Sequence, residues 1–276
     1  MDYLLVCTVS LVVAGLTLFS GFGLGTLLMP AFAVFFELEV AIAATAVVHL
    51  ANNVFKVWLL GRGAPRRVVV LFGVPAIGGA LAGAALLLAL SGIPPLFSYE
   101  AGRVRGTVEP IKLVIAALLA VFALLEVSPR FQRLSFPAAL LPVGGVVSGF
   151  FGGLSGMQGA LRAAFLVRAG LSRDQFIATA VVVSTMVDCT RLLIYAIGLT
   201  ALAGVIPGLT RLGGKADLAR VGEARTLGLI VAASLAAFAG SVLGARLVKK
   251  VTLRTVQKVV AVMLLVFAGA LAAGVI

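Results

Sequence analysis

The sequence predicts an all-α integral membrane protein made of two inverted repeats of about five membrane segments each, the first segments of each repeat being Gly-broken or re-entrant. Three observations carry this. Of 276 residues, 62% are hydrophobic and 12% charged, too little polar surface to cover a water-soluble globule of this size. Many of the apolar runs last roughly 17 to 25 residues, the length a helix needs to cross the hydrocarbon, whereas barrel strands alternate over about ten. A constant offset of 134 residues aligns the first half of the chain with the second.

In chain order the apolar runs fall at 3–19, 22–36, 40–61, 67–91, 110–127, 136–152, 157–169, 175–198, 226–248 and 256–275. The start, Met1-Asp2-Tyr3, has no basic n-region and no small-residue cleavage site follows, so the first run reads as a membrane segment and not as a removed signal. Most joins carry charge, Gly or Pro. Two do not carry charge: Ser20-Gly21-Phe22-Gly23-Leu24-Gly25 and Gly152-Gly153-Leu154-Ser155-Gly156-Met157-Gln158-Gly159. Such glycine runs loosen a helix, and inside a bilayer the freed backbone groups must face protein or a wet cavity.

The 134-residue offset relates these two breaks, placing Gly15 on Gly149, Gly25 on Gly159 and Leu27 on Leu161. It continues into the next run, where Ala43-Ala44-Thr45-Ala46-Val47-Val48 lies on Ile177-Ala178-Thr179-Ala180-Val181-Val182. Gly79 and Gly83 correspond to Gly240 and Gly244, two small-xxx-small pairs suited to close helix contact within a monomer or between the copies of a homodimer. The organisation expected is repeat 1 over 1–127, a basic cytoplasmic linker over 128–135 and repeat 2 over 136–276.

Charge sets the orientation. The net charge of +12 sits mainly in short stretches between apolar runs, where topology and lipid headgroups account for it without nucleic acid. If the segments around each Gly break enter and return on the same side, twelve Lys and Arg face two acids on one side and seven face seven on the other. If each broken segment crossed as one helix, the basic residues would split nearly evenly. The positive-inside rule selects the first arrangement. Each half then holds an odd number of segments, the halves run in opposite directions, and both termini and the polar loop 199–225 lie outside. Inverted repeats with matching Gly-broken helices point to a transporter whose site lies near the midplane.

Polar groups within the apolar runs cluster at repeat-related positions. The first half offers His49, Asn52, Asn53 and Lys56, whose spacing of three or four puts them on one helix face. The second offers Ser184, Thr185, Asp188, Thr190 and Arg191, with Ser155, Gln158 and Arg162 at the second break. An ionisable group at membrane depth costs about 2.5 to 3.5 kcal/mol on insertion scales and so faces a cavity or a partner. Lys56 either snorkels toward the basic side or ends an anion cavity. Asp188 and Arg191, three residues apart, either neutralise each other or serve separately. His49, the only histidine, is a core group or a proton carrier, and Asp188 is the other candidate for a coupled proton. Arg162 has no acid near it in sequence, which makes a substrate anion an economical partner. The helices restarting after Gly25 and Gly159 would add unpaired N–H groups and positive dipole ends.

Other chemistries find little support. Gly213-Gly214-Lys215-Ala216 lacks the spacing and the Ser or Thr of a phosphate loop. One histidine and no carboxylate cluster give neither a metal site nor paired-acid catalysis, so no enzyme activity, cofactor or metal is expected. Cys7 and Cys189 lie in apolar segments and read as core residues, not as a disulfide or a metal site.

The run from Gly21 to Pro30 followed by Ala43 to Val48, and its counterpart from Gly152 to Gly159 followed by Ile177 to Val182, resembles the TauE/SafE sulfite-exporter family over nearly the whole chain. The resemblance implies a multi-pass protein of a prokaryotic inner membrane that moves sulfite, sulfoacetate or other organosulfonates without ATP. It maps the family's two Gly-rich turns onto Gly21, Gly23 and Gly25 and onto Gly153, Gly156 and Gly159, and its proline onto Pro30. Ala164 stands at the repeat-equivalent of Pro30, and Arg162 replaces an expected small or apolar residue.

The expectation is therefore a secondary anion transporter working by alternating access between a small anionic substrate and the lipid bilayer. Arg162, Arg191 and Lys56 would neutralise the substrate, with Asn52, Asn53, Gln158, Ser155, Ser184 and the backbone at Gly23, Gly25, Gly156 and Gly159 orienting it. A passive anion channel, an intramembrane lipid-phosphate phosphatase and an assembly subunit are the rival readings.

Overall fold

The computed structural model describes residues 2–20, 24–102, 104–202, 223–247 and 253–276 and is mostly helical. In chain order the helices are α1 (Asp2–Ser20), α2 (Leu24–Ala33), α3 (Leu38–Leu60), α4 (Arg66–Val68), α5 (Val74–Ser91), α6 (Pro110–Val127), α7 (Pro129–Gln132), α8 (Leu141–Ser155), α9 (Gly159–Leu166), α10 (Arg173–Leu202), α11 (Ala224–Leu247) and α12 (Leu253–Ala272). The sequence readings at Gly21, Gly23, Arg103, the loop 203–222 with Gly213 to Ala216, Lys249 and Lys250 lie outside the described residues.

Each apolar run corresponds to a helix, α4 and α5 forming one run joined by a π turn at Val69–Gly73. Its local cause is Pro75, which lacks an N–H and whose ring crowds the carbonyl four residues back, so the ladder shifts by one. Pro110, Pro129 and Pro142 instead open helices, where a missing N–H removes no bond. Among the described residues, six helical stretches are long and apolar enough to cross a bilayer: Leu38–Leu59, Arg66–Ser91, Pro110–Val127, Ala138–Ser155, Arg173–Ile197 and Ala224–Leu243.

Packing crosses the midpoint of the chain. The helix α5 lies along α8, α1 along α11, α6 along α12 and α3 along α10. Glycines set how close these pairs come. A Cβ at Gly149 would strike the Ala76 carbonyl, one at Gly83 the Phe150 carbonyl and one at Gly79 the Val146 carbonyl; on the other pair, one at Gly240 would strike the Leu11 carbonyl. Gly79, Gly83 and Gly240 therefore serve contacts within the chain, the close backbone approach that small residues permit in lipid. The main core joins Leu28, Met29 and Phe32 of α2 to Ile42 of α3, Ile115 and Leu119 of α6, Leu229 of α11 and Leu264 of α12.

One expectation needs correction. Cys189 is exposed and Cys7 partly so, because in a bilayer the outward face of a helix is as apolar as its core, and apolar neighbours do not place a residue inside. The stretch between α5 and α6, for which the sequence analysis offers no element, forms an antiparallel hairpin, β1 (Phe97–Ala101) and β2 (Val104–Val108), with Tyr99 opposite Gly106. Alternation around Gly102 is its signal. Tyr99 Oη donates to the Ala273 carbonyl at 2.7 Å and the Thr107 N–H to the Gly274 carbonyl at 2.9 Å, tying the hairpin to the C-terminus.

Segments that the charge distribution assigned to one side come together. The α2–α3 turn, the end of α5, Glu109, Lys112 and the C-terminal residues Leu271 and Ile276 line a cavity of about 750 Å³. Arg225 pairs with Asp2, joining the first turns of α11 and α1. At the opposite end, Phe136 stacks on Phe165 with ring centres 4.3 Å apart.

Candidate functional site

Helix α3 presents His49, Asn52, Asn53 and Lys56, all buried, and α10 presents Ser184, Asp188 and Arg191, also buried. Where these faces meet, His49 Nδ1 lies 2.6 Å from Asp188 Oδ2. Asn53 Nδ2 donates to the same oxygen at 2.9 Å and stands 3.2 Å from His49 Nδ1. Arg191 Nη2 is 2.8 Å from the other carboxylate oxygen, Oδ1, an ion pair by distance that is too bent to be a hydrogen bond. Asp188 and Arg191 are fully buried. A buried charge needs compensation on every side, and Asp188 receives it from both helices.

The turn between α8 and α9 closes on the same guanidinium. Gly156 caps α8 in the left-handed region at φ +80, and its N–H donates to the Gly152 carbonyl at 2.9 Å. A Cβ there would stand 2.8 Å from Arg191 Nη1, so glycine is required twice, by the dihedral and by the arginine lying on its α-carbon. Gly25, in the first turn of α2, brings the other break to this point, since its Cβ would be 3.3 Å from the Gly156 carbonyl oxygen.

Several buried polar atoms here make no hydrogen bond among the described residues: Nε and Nη1 of Arg191, both amide atoms of Gln158 and Nδ2 of Asn52. Buried polar atoms are normally satisfied, so this concentration makes the junction the candidate site among the described residues. Gln158 packs over Gly152 beside Val187, and Ser148 Oγ donates to its backbone carbonyl at 3.3 Å. Asn52 Oδ1 accepts from Ser241 Oγ at 2.9 Å.

The remaining candidates divide. Arg162 on α9 is partly buried and bonds Ser184 Oγ, one turn of α10 before Asp188. Lys56 lies a turn beyond Asn52 and Asn53 on α3, buried. Ser155 Oγ donates to the Phe151 carbonyl at 3.0 Å, within its own helix. Gly159 opens α9, and Gly23 lies outside the described residues. Sequence reasoning missed Tyr195, whose buried Oη donates to the Gly153 carbonyl at 2.9 Å. Its position four after Arg191 and seven after Asp188 on one helix face was the available signal. Ser241, bonded to Asn52, and Ser148, bonded to the Gln158 carbonyl, were missed too.

A helical chain with six membrane-length spans among its described residues is a polytopic membrane protein. Over residues 6–271 it matches the family model described as Sulfite exporter TauE/SafE, and it belongs to that family. No curated protein and no solved structure matches the chain.

Proposed function

We propose that the protein is a secondary transporter of small sulfur-containing anions, sulfite or organosulfonates, and that the substrate binds where Gly25, Gly156, Gln158 and Arg191 converge. The observation that carries this is Arg191, fully buried against the α-carbon of Gly156, whose Nε and Nη1, like the neighbouring Gln158 amide, make no hydrogen bond among the described residues. A guanidinium offers planar donors that match an oxyanion, and the first turns of α2 and α9 add the positive ends of helix dipoles. Arg162 with Ser184, and Lys56, supply further cations and a hydroxyl along the approach.

Alternating access follows from reading residues 1–127 and 136–276 as inverted halves. The pairing of α1 with α11, α5 with α8, α3 with α10 and α6 with α12 is what a two-fold axis between the halves would generate. The ten residues of α2 and eight of α9 span about 15 and 12 Å, roughly half or less of the hydrocarbon, which favours re-entrant hairpins over short spans. Rocking of one half against the other would open the junction to each side in turn.

The test is thermal unfolding of the purified protein with sulfite, sulfoacetate, taurine, sulfate, phosphate or chloride. A ligand of the folded state raises the melting point once its concentration exceeds Kd. Sulfite or a sulfonate should stabilise the wild type, stabilise Arg162→Ala less, since it lacks a cation of the approach, and fail to stabilise Arg191→Gln. Stabilisation by none of them, or only by a polyprenyl phosphate added as a seventh ligand, would overturn the reading.

A further inference from the structure

We propose that the His49–Asp188 pair is a proton-operated counter-charge for Arg191, so that each anion entering the junction is bound together with one proton. This rests on the anion-site reading above. Arg191 has two claimants. One edge of its guanidinium faces Asp188 Oδ1 at 2.8 Å, while Nη1 lies on Gly156 and Nε and Nη1 make no hydrogen bond among the described residues. A substrate anion on those atoms would share one buried guanidinium with an ionised carboxylate, two negative charges a few ångströms apart where water does not screen them. A proton on the pair removes that repulsion and loosens the hold of Asp188 on Arg191.

The contact between His49 Nδ1 and Asp188 Oδ2 at 2.6 Å, with Asn53 on the same oxygen, makes the proton a property of the pair and not of either residue. The other titratable groups within electrostatic reach, among the described residues, are Lys56 on α3, Arg162 on α9, and Tyr195 and Cys189 on α10. The facing parts of α5, α8 and α11 bring only apolar residues, backbone and the hydroxyls of Ser148, Ser155 and Ser241. Lys56 and Arg162 attract an anion equally in both states of the pair, so they leave the sign unchanged: anion binding takes up a proton, and by linkage acid tightens anion binding. Because His49 belongs to the first half of the chain and Asp188 to the second, the same proton acts on a contact that joins the halves.

The experiment is a calorimetric titration of the full-length protein in detergent with methanesulfonate, which stays a monoanion, and with sulfite, in buffers of different ionisation enthalpy across a pH series. Thermal shift with the same anions runs in parallel. Wild type should take up about one proton per anion, and Kd should rise about tenfold per pH unit above the titration of the pair. His49→Gln keeps hydrogen-bonding groups without a titrating ring: it should take up no proton beyond that of the ligand and bind weakly at every pH. Asp188→Asn removes the competing charge: it should bind tightly at every pH, again without uptake. Anion binding by the wild type without proton uptake would overturn the coupling and leave the anion site standing. No anion binding at any pH would overturn both.

Discussion

Gly25 and Gly156, 131 positions apart in the chain, lie so close that a Cβ on the first would stand 3.3 Å from the carbonyl oxygen of the second. The two helix breaks thus meet tip to tip, and Arg191 lies against one of them. Any substitution there acts on backbone geometry and on the buried guanidinium together.

Gly156→Ala separates these effects when set beside Gly170→Ala. Both glycines have positive φ, +80 and +71, but a Cβ at Gly170 meets nothing within 4 Å. Gly170→Ala should lose only the left-handed term, about 1 to 2 kcal/mol. Gly156→Ala should lose more and also lose stabilisation by sulfite, because Arg191 is displaced. Melting curves with and without sulfite measure both.

The α5–α8 contact should tolerate no side chain on its inner line. Gly149→Val drives a side chain into the Ala76 carbonyl, whereas Gly78, one residue from Gly79, is exposed with nothing within 4 Å of a Cβ. Gly149→Val should abolish recovery of folded protein, and Gly78→Ala should leave the elution profile and melting point unchanged.

Ser241→Ala removes the one hydrogen-bond partner that the Asn52 side chain has among the described residues, both residues being buried. Leaving a buried amide unsatisfied costs about 1 to 3 kcal/mol. The expected fall in thermal stability should largely disappear in the double variant with Asn52→Leu, a double-mutant cycle that isolates the pair.

Arg162→Ala should abolish saturable uptake of sulfite into proteoliposomes while expression stays intact. Arg162→Lys should recover only part of it, since a point charge replaces the planar fork. Near-normal uptake by the alanine variant would remove Arg162 from the site.

The orientation is testable by accessibility. In a background lacking Cys7 and Cys189, Gly102→Cys on the β-hairpin should react with a membrane-impermeant thiol reagent added to intact cells. Arg130→Cys after α6 should react only once the membrane is opened. The reverse pattern would invert the topology.

Much of the architecture was legible beforehand. Apolar runs predict helices because lipid demands that every backbone group be bonded within its own segment, a local property that 3–19 or 110–127 displays without any partner. The polar residues of the junction were visible for the same reason, as exceptions within those runs. The hairpin at 97–108 was less so, because its short alternation is a weak signal beside long apolar helices.

By itself, the sequence determined the helical membrane class, the position of the two glycine breaks, the uneven charge of the joins and which helix face carries His49, Asn52, Asn53 and Lys56. Only the tertiary structure decided that Asp188 bridges Arg191 and His49, that Tyr195 bonds the Gly153 carbonyl and Ser241 the Asn52 amide, and that Cys189 points outward. Hydrophobic length and helical spacing are properties of neighbours along the chain. The partner of a buried charge 139 positions away is set by how closely the glycines let helices approach, and that exists only once the helices have packed.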